Sequence, residues 1–443
     1  MSCNSKFHRT AHSARRFGLA LMVPLLTAAS LVHGQDAVRP SLAGEASAEA
    51  RRQSVERIPY NLLLGPVRFR FSATAGLEYN DNINVAEVDT QEDLIFRPQV
   101  NFNAVWPITQ LNTLRFDIGL GYNFYLNHSE YNTNSILLAP NSALSFDVFV
   151  GDFRINFHDR FSLEQDPIGE PGLSNVADYG RFQNTAGFSV LWDLNKAVVT
   201  FGYDHYTFIA TNSDFDYLDR NAEMLTGSVS VAATSTTGVG LETSYVFNHY
   251  DRDLLNDSNT FSAGAFIETQ LTNYIKLRVA GGYQGIDFSG SDVRLGPFPP
   301  GFLPNGETFL VFNDSGSLND YYINVLISHR INAAITQRLS AGHESQLGVN
   351  SNYIRLNYVR HTATWNVINR TLLSTELFYE DAEESGGFVD EHLHRYGGAL
   401  SLGYQLTPHV TLGARYQYTQ KDSDVVLRDY KQNRVSLDGT YSF

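Results

Sequence analysis

The last ten residues, Arg434-Val435-Ser436-Leu437-Asp438-Gly439-Thr440-Tyr441-Ser442-Phe443, decide the fold. Successive side chains of an extended strand point to opposite faces. Val435, Leu437, Gly439, Tyr441 and Phe443 therefore share one face, and Arg434, Ser436, Asp438, Thr440 and Ser442 share the other. One face suits lipid and the other suits water. A soluble domain has little use for a final strand of this kind, and the same alternation recurs back to Val67.

Counting back from that strand gives eighteen alternating runs, beginning with Val67 to Tyr79 and spaced by alternately short and long connections. In the first run Phe69, Phe71, Ala73, Ala75 and Leu77 fall on one side, and Arg68, Arg70, Ser72, Thr74 and Glu78 on the other. Short links such as Gly151, Leu194-Asn195, Thr272-Asn273 and Thr407-Pro408 alternate with longer ones, up to Ser289 to Leu318. Short turns on one rim and long loops on the other are the signature of an all-β transmembrane antiparallel up-and-down β-barrel. The expectation is about eighteen strands, with sixteen as the alternative count. Closure also removes the unpaired edges that lipid would not tolerate.

Composition agrees. There are 29 Phe, 24 Tyr and 34 Gly, and aromatic side chains gather at the two interfaces of a membrane barrel. After the amino-terminal segment, no apolar run reaches the ~18 residues that a membrane helix needs. Lys6, Arg9, Arg15 and Arg16 precede the apolar run from Phe17 to Val32, and the first 34 residues hold no acid. Residues 1–34 thus read as a cleaved signal peptide for export through the inner membrane. Residues 35–66 read as a mostly flexible periplasmic lead and 67–443 as the barrel. Cleavage would remove the only cysteine, Cys3, and four of the 32 basic residues, leaving 28 against 47 acids, a net −19. A balance this acidic argues against nucleic acid as a partner.

Faces assigned by alternation place thirteen basic residues inward against nine acids, a mixed wall with a basic excess. Arg70, Arg97, Arg115, Arg154, Arg278, Arg338, Arg355 and Arg415 are the expected pore-lining residues. Cross-strand pairing alone would also account for many of them. The acid surplus falls in the long loops, for example Asp214, Asp216 and Asp219, or Glu383, Glu384, Asp390 and Glu391.

Three further stretches carry weaker signals. Glu78 to Asn84 has oxygen-rich spacing but lacks the Gly and distal Glu of an EF-hand loop, so it reads as a polar turn. His392 and His394 share one strand face, but two ligands do not make a metal site, and a wet strand end is the reading. No stretch marks a nucleophile, so no enzyme, metal or cofactor is expected. The longest loop, with Phe298, Phe302 and Leu303 among its prolines, is expected either to fold inward as a constriction or to stay exposed.

The stretch Ala75-Gly76-Leu77-Glu78-Tyr79-Asn80-Asp81-Asn82-Ile83-Asn84, followed by Gly119-Leu120-Gly121-Tyr122-Asn123-Phe124-Tyr125, resembles the β-barrel porin type 2 family. That resemblance implies a porin of the bacterial outer membrane, with several relatives associated with exopolysaccharide synthesis and export, and it carries over no catalytic residue. The final strand likewise resembles the terminal strand of outer-membrane barrels. Leu437, Tyr441 and Phe443 are then the signal for the barrel assembly machinery, and outer-membrane lipid is the surrounding partner. The expected function is a channel for exopolysaccharide export, working with periplasmic polysaccharide-export partners. The alternatives are a general or substrate-selective small-solute porin and a non-conducting structural or adhesive barrel.

Overall fold

In the computed structural model, the described residues are 59–443 except 110–111, 253–254, 290–292, 298–307, 313–315 and 386–389. The signal peptide and most of the lead lie outside them. Eighteen strands make the wall: β1 Val67–Asn80, β2 Asp93–Pro107, β3 Thr113–Gly121, β4 Leu137–Val150, β5 Phe153–Glu164 and β6 Arg181–Asp193. The wall continues with β7 Ala197–Ala210, β8 Arg220–Ala232, β9 Thr237–Tyr250, β10 Ser258–Gln270, β11 Ile275–Phe288 and β12 Ser317–Arg330. It ends with β13 Ile335–Gln346, β14 Tyr353–Ile368, β15 Thr371–Ser385, β16 Glu391–Gln405, β17 Val410–Ser423 and β18 Tyr430–Ser442. Every neighbouring pair is antiparallel, and β18 pairs with β1 from Ser72↔Ser442 to Asn80↔Arg434, closing the ring. The count is eighteen rather than sixteen. Below Ser72, the edge of β1 is covered by a short strand, Leu62–Leu64, turning at Gly65 and pairing Leu62 with Phe69. The wall thus begins a few residues before Val67, within the segment expected to be a lead.

The two rims differ as the sequence requires. β4 and β5 join through Gly151, whose φ of 57° is open to glycine at little cost. The opposite rim carries long connections. The longest holds a hairpin of its own, with Val293 paired to Phe312 and Pro297 to Thr308. Phe298, Phe302 and Leu303, on which the expected inward folding of this loop rested, lie outside the described residues.

The outer surface has three zones. Around its middle runs an apolar belt, with Val100, Leu241, Leu377, Leu400 and Leu437 all exposed. Phe153 stacks on Trp192 near the short-turn rim, and Phe69, Phe71 and Phe102 cluster there as well. A continuous exposed apolar belt between aromatic girdles is a lipid-facing surface.

Towards the long-loop rim the polarity inverts. Here the outside is polar: His205 lies 2.9 Å from Glu223, and Arg355 lies 3.6 Å from Glu383. The inside is apolar: Ile354, Leu356, Tyr358, Ala382 and Leu393 pack into one buried cluster. This section is built like a soluble β-barrel filled by its own core.

Candidate functional site

The upper lumen is filled by loops. Residues 165–180, between β5 and β6, contain Pro167, Ile168, Gly169, Leu173, Val176, Ala177 and Tyr179, all buried. An apolar loop of this size on an open rim would stay in water, so its burial requires that it turn into the barrel. Its neck closes where the Tyr179 amide donates to Gln165 O at 2.9 Å. Its first turn, Pro167–Gly169, is capped by Asp166, which accepts from the Ile168 amide. Leu173, Val176 and Tyr179 then join Phe215, Tyr217 and Leu218 of the next loop and Val349 of loop 347–352 in one core with wall residues Tyr206, Phe208 and Met224.

The loop reaches the far wall and is held there by cationic donors. Arg395 of β16 donates to Ile168 O at 2.7 Å, and Arg434 of β18 grips Asp166 at 2.7 Å. Arg428 and Asn350 both donate to Gly172 O. Lys421 donates to Ser174 Oγ at 3.1 Å. A Cβ at Gly172 would meet the Glu384 carboxylate, which would have to turn aside to admit it.

These cations do not stand alone. Glu391 bridges Lys421 at 2.9 Å and Arg428 at 2.8 Å, with all three side chains fully buried. Glu380 bridges Arg360 at 3.0 Å and Arg395 at 2.6 Å. Glu78 bridges Arg97 at 2.8 Å and Arg434 at 2.9 Å. Each triad has two cations for one carboxylate. The loop meets part of the surplus through its carbonyls and through Asp166, and the buried Glu384 carboxylate lies beside Lys421 and Arg428. Burial pushes the Asp166 carboxyl up, but the guanidiniums of Arg434 and Arg97 outweigh it and hold the group below its ordinary value. Asp178, at the other end of the loop, is pushed above its ordinary value by burial.

The expected lining residues divide. Arg97, Arg278 and Arg415 face the lumen, each paired with a carboxylate: Glu78 at 2.8 Å, Glu242 at 2.6 Å and Glu376 at 2.9 Å. Arg154 faces inward over the Phe149 ring at 5.0 Å. By strand register Arg70, Arg115 and Arg338 also face the lumen, near the short-turn rim. Arg355 does not. It pairs in register with Glu383 on the outer surface, because the flanking Ile354 and Leu356 turn into the filled upper lumen. Alternation alone reads those two as lipid-facing, hence the wrong face for Arg355. Glu384 and Glu391 are likewise buried inside the barrel rather than part of an acidic loop surface.

Leu437, Tyr441 and Phe443 lie exposed on the outer face at the closing seam. The turn after β1 is held by its own polar groups: Asn82 Oδ1 accepts from the Ala86 amide at 3.0 Å, and Asn82 Nδ2 donates to Ala86 O at 2.8 Å. Asp166, Arg360, Glu380, Lys421 and Arg428 were not singled out from sequence. Their partners lie up to hundreds of residues away, and only the apolar content of 165–180 could have pointed to the loop.

No family model matches this chain, and no curated protein matches it either. Solved structures similar to it include three from Pseudomonas aeruginosa. OccK1 (OpdK) is 12% identical with a TM-score of 0.47, covering 86% of this chain and 100% of its own. OccK2 (OpdF), solved in complex with glucuronate, is 12% identical with a TM-score of 0.46, covering 85% and 98%. OccD3 (OpdP) is 13% identical with a TM-score of 0.44, covering 85% and 91%.

Proposed function

We propose that this barrel is a channel of the bacterial outer membrane for small anionic solutes, constricted by the loop at 165–180. The belt between aromatic girdles sets it in lipid, with the short turns on the periplasmic side and the long loops outside. The observation that carries the reading is the loop crossing the lumen. A sliding polymer needs an unobstructed bore, whereas a small solute needs a narrow passage with fixed polar groups. The small-solute reading is therefore preferred to exopolysaccharide export.

Anion preference follows from the periplasmic mouth. Arg68, Arg70, Arg115, Arg154, Lys276 and Arg338 all sit within the first few residues of upward-running strands and face inward. Asp117, Asp147, Glu268 and Asp438 share this end of the lumen, so the mouth is mixed with a basic excess, and it is that excess in a low-dielectric mouth that raises the local concentration of anions. Reversal potentials across a planar bilayer with a salt gradient test this, together with liposome swelling in small sugar acids and in oligosaccharides. The reading expects chloride over potassium and swelling with the acids alone. Cation preference, or equal entry of oligosaccharides, would overturn it.

A further inference from the structure

On the outer surface of the long-loop rim, Asp381 of β15 meets His392 and His394 of β16. Asp381 pairs in register with His394, and His392 is the next outward residue along the same strand. Asp381 Oδ1 lies 2.9 Å from His392 Nε2 and 3.1 Å from His394 Nδ1, and the three donor atoms fall within 4.8 Å of one another. The two imidazoles stand edge to face, 4.7 Å apart.

We propose that Asp381, His392 and His394 bind a divalent cation of the zinc class. Two neutral imidazoles and one carboxylate form a mixed nitrogen and oxygen donor set, which suits zinc, nickel or copper, whereas calcium and magnesium prefer oxygen throughout. Metal bonds of 2.0–2.1 Å in a tetrahedral site separate donors by about 3.3 Å. The carboxylate already stands at that range from both rings; the two imidazole nitrogens need to close, and the Tyr379 hydroxyl, 3.2 Å from His394 Nδ1, needs to turn aside. The donors ride on adjacent, hydrogen-bonded strands, so the backbone fixes their spacing.

A supporting contact also fits. Asn357 Nδ2 donates to the second oxygen, Asp381 Oδ2, at 3.3 Å, orienting Oδ1 towards the histidines. Such outer partners are a regular feature of metal centres. All three ligands are about one-third to one-half exposed, at 32%, 50% and 44%. The remaining coordination positions thus face solvent and take water or an external ligand.

Calorimetric titration of Zn²⁺ into the untagged, detergent-folded protein, with millimolar Mg²⁺ present, tests the site. The expected result is one saturable ion per chain, weakened at least ten-fold by His392→Ala, by His394→Ala and by Asp381→Ala. Glu383→Ala, the neighbouring carboxylate outside the cluster, leaves binding unchanged. Heat-modifiable electrophoretic mobility shows that each variant has closed its barrel. Absence of saturable binding, displacement by Mg²⁺, or binding that survives the double histidine variant would overturn the proposal.

Discussion

Arg434 of the closing strand grips Asp166 at 2.7 Å with Nη1 while its Nη2 lies 2.9 Å from Glu78, so one guanidinium ties the in-folded loop to the seam that closes the barrel. Closure of the wall and constriction of the lumen share a residue. Replacing Asp166 with Asn removes the one loop charge that Arg434 grips but keeps the side chain's shape and leaves the contact between Arg434 and Glu78 in place. The expected outcome is an intact barrel with more frequent openings in single-channel records. Unchanged gating would show that the ion pair does not hold the loop.

The pH dependence of that gating has two limbs. Asp166 is held below its ordinary value, so its contribution to closure is present above the usual carboxylate range and is lost as the pH falls through its depressed value. Asp178 is raised by burial, so its contribution is complete below the usual range and is lost as the pH rises through its raised value. Open probability should therefore increase on both sides of a minimum. Asp166→Asn should abolish the acid limb, and Asp178→Asn the other. A profile unmoved by either variant would contradict the assignment.

The buried triads make the upper barrel sensitive to loss of a single partner. Glu380→Ala leaves the Arg360 and Arg395 guanidiniums without their shared carboxylate, and stranding buried charge of this kind costs about 3–5 kcal/mol. Glu383→Ala breaks only the exposed pair with Arg355, worth below about 1 kcal/mol. Denaturant midpoints of the two variants should separate accordingly. Equal shifts would refute the contrast between inner and outer faces.

Selectivity should follow the corrected faces. Reversing Arg70, Arg154 and Arg338 together to Glu is expected to turn anion preference into cation preference. Arg355→Glu, on the outside, is expected to leave the reversal potential where it was. A shift with Arg355→Glu as large as that of the triple variant would restore Arg355 to the lumen.

The barrel itself was legible because its physics is local. Period-two alternation and turn length are read within ten residues, and they place β18 and its closing role directly. The site was less legible because its physics is not. The alternation that assigns Leu437 to lipid also assigns Ile354 and Leu356 there, yet those two meet protein instead, since loops fill the lumen above the belt. No local pattern distinguishes an apolar face against lipid from one against a loop. Glu391 and its two cations come together only through strand order and the turn at 424–429, and Asp166 finds Arg434 only when the ring closes. The loop at 165–180 did carry a sign in Ile168, Leu173, Val176 and Tyr179, too many apolar residues for a loop in water.

On the proposed function, the loop at 165–180 narrows a conducting lumen. Single-channel conductance in a planar bilayer tests it most directly, comparing the natural chain with one in which residues 167–177 are replaced by a Gly-Ser-Gly linker. Small, anion-selective openings are expected for the natural chain, and a several-fold larger, steadily open conductance for the variant. Equal conductances, or silence from both chains when correctly folded, would contradict it.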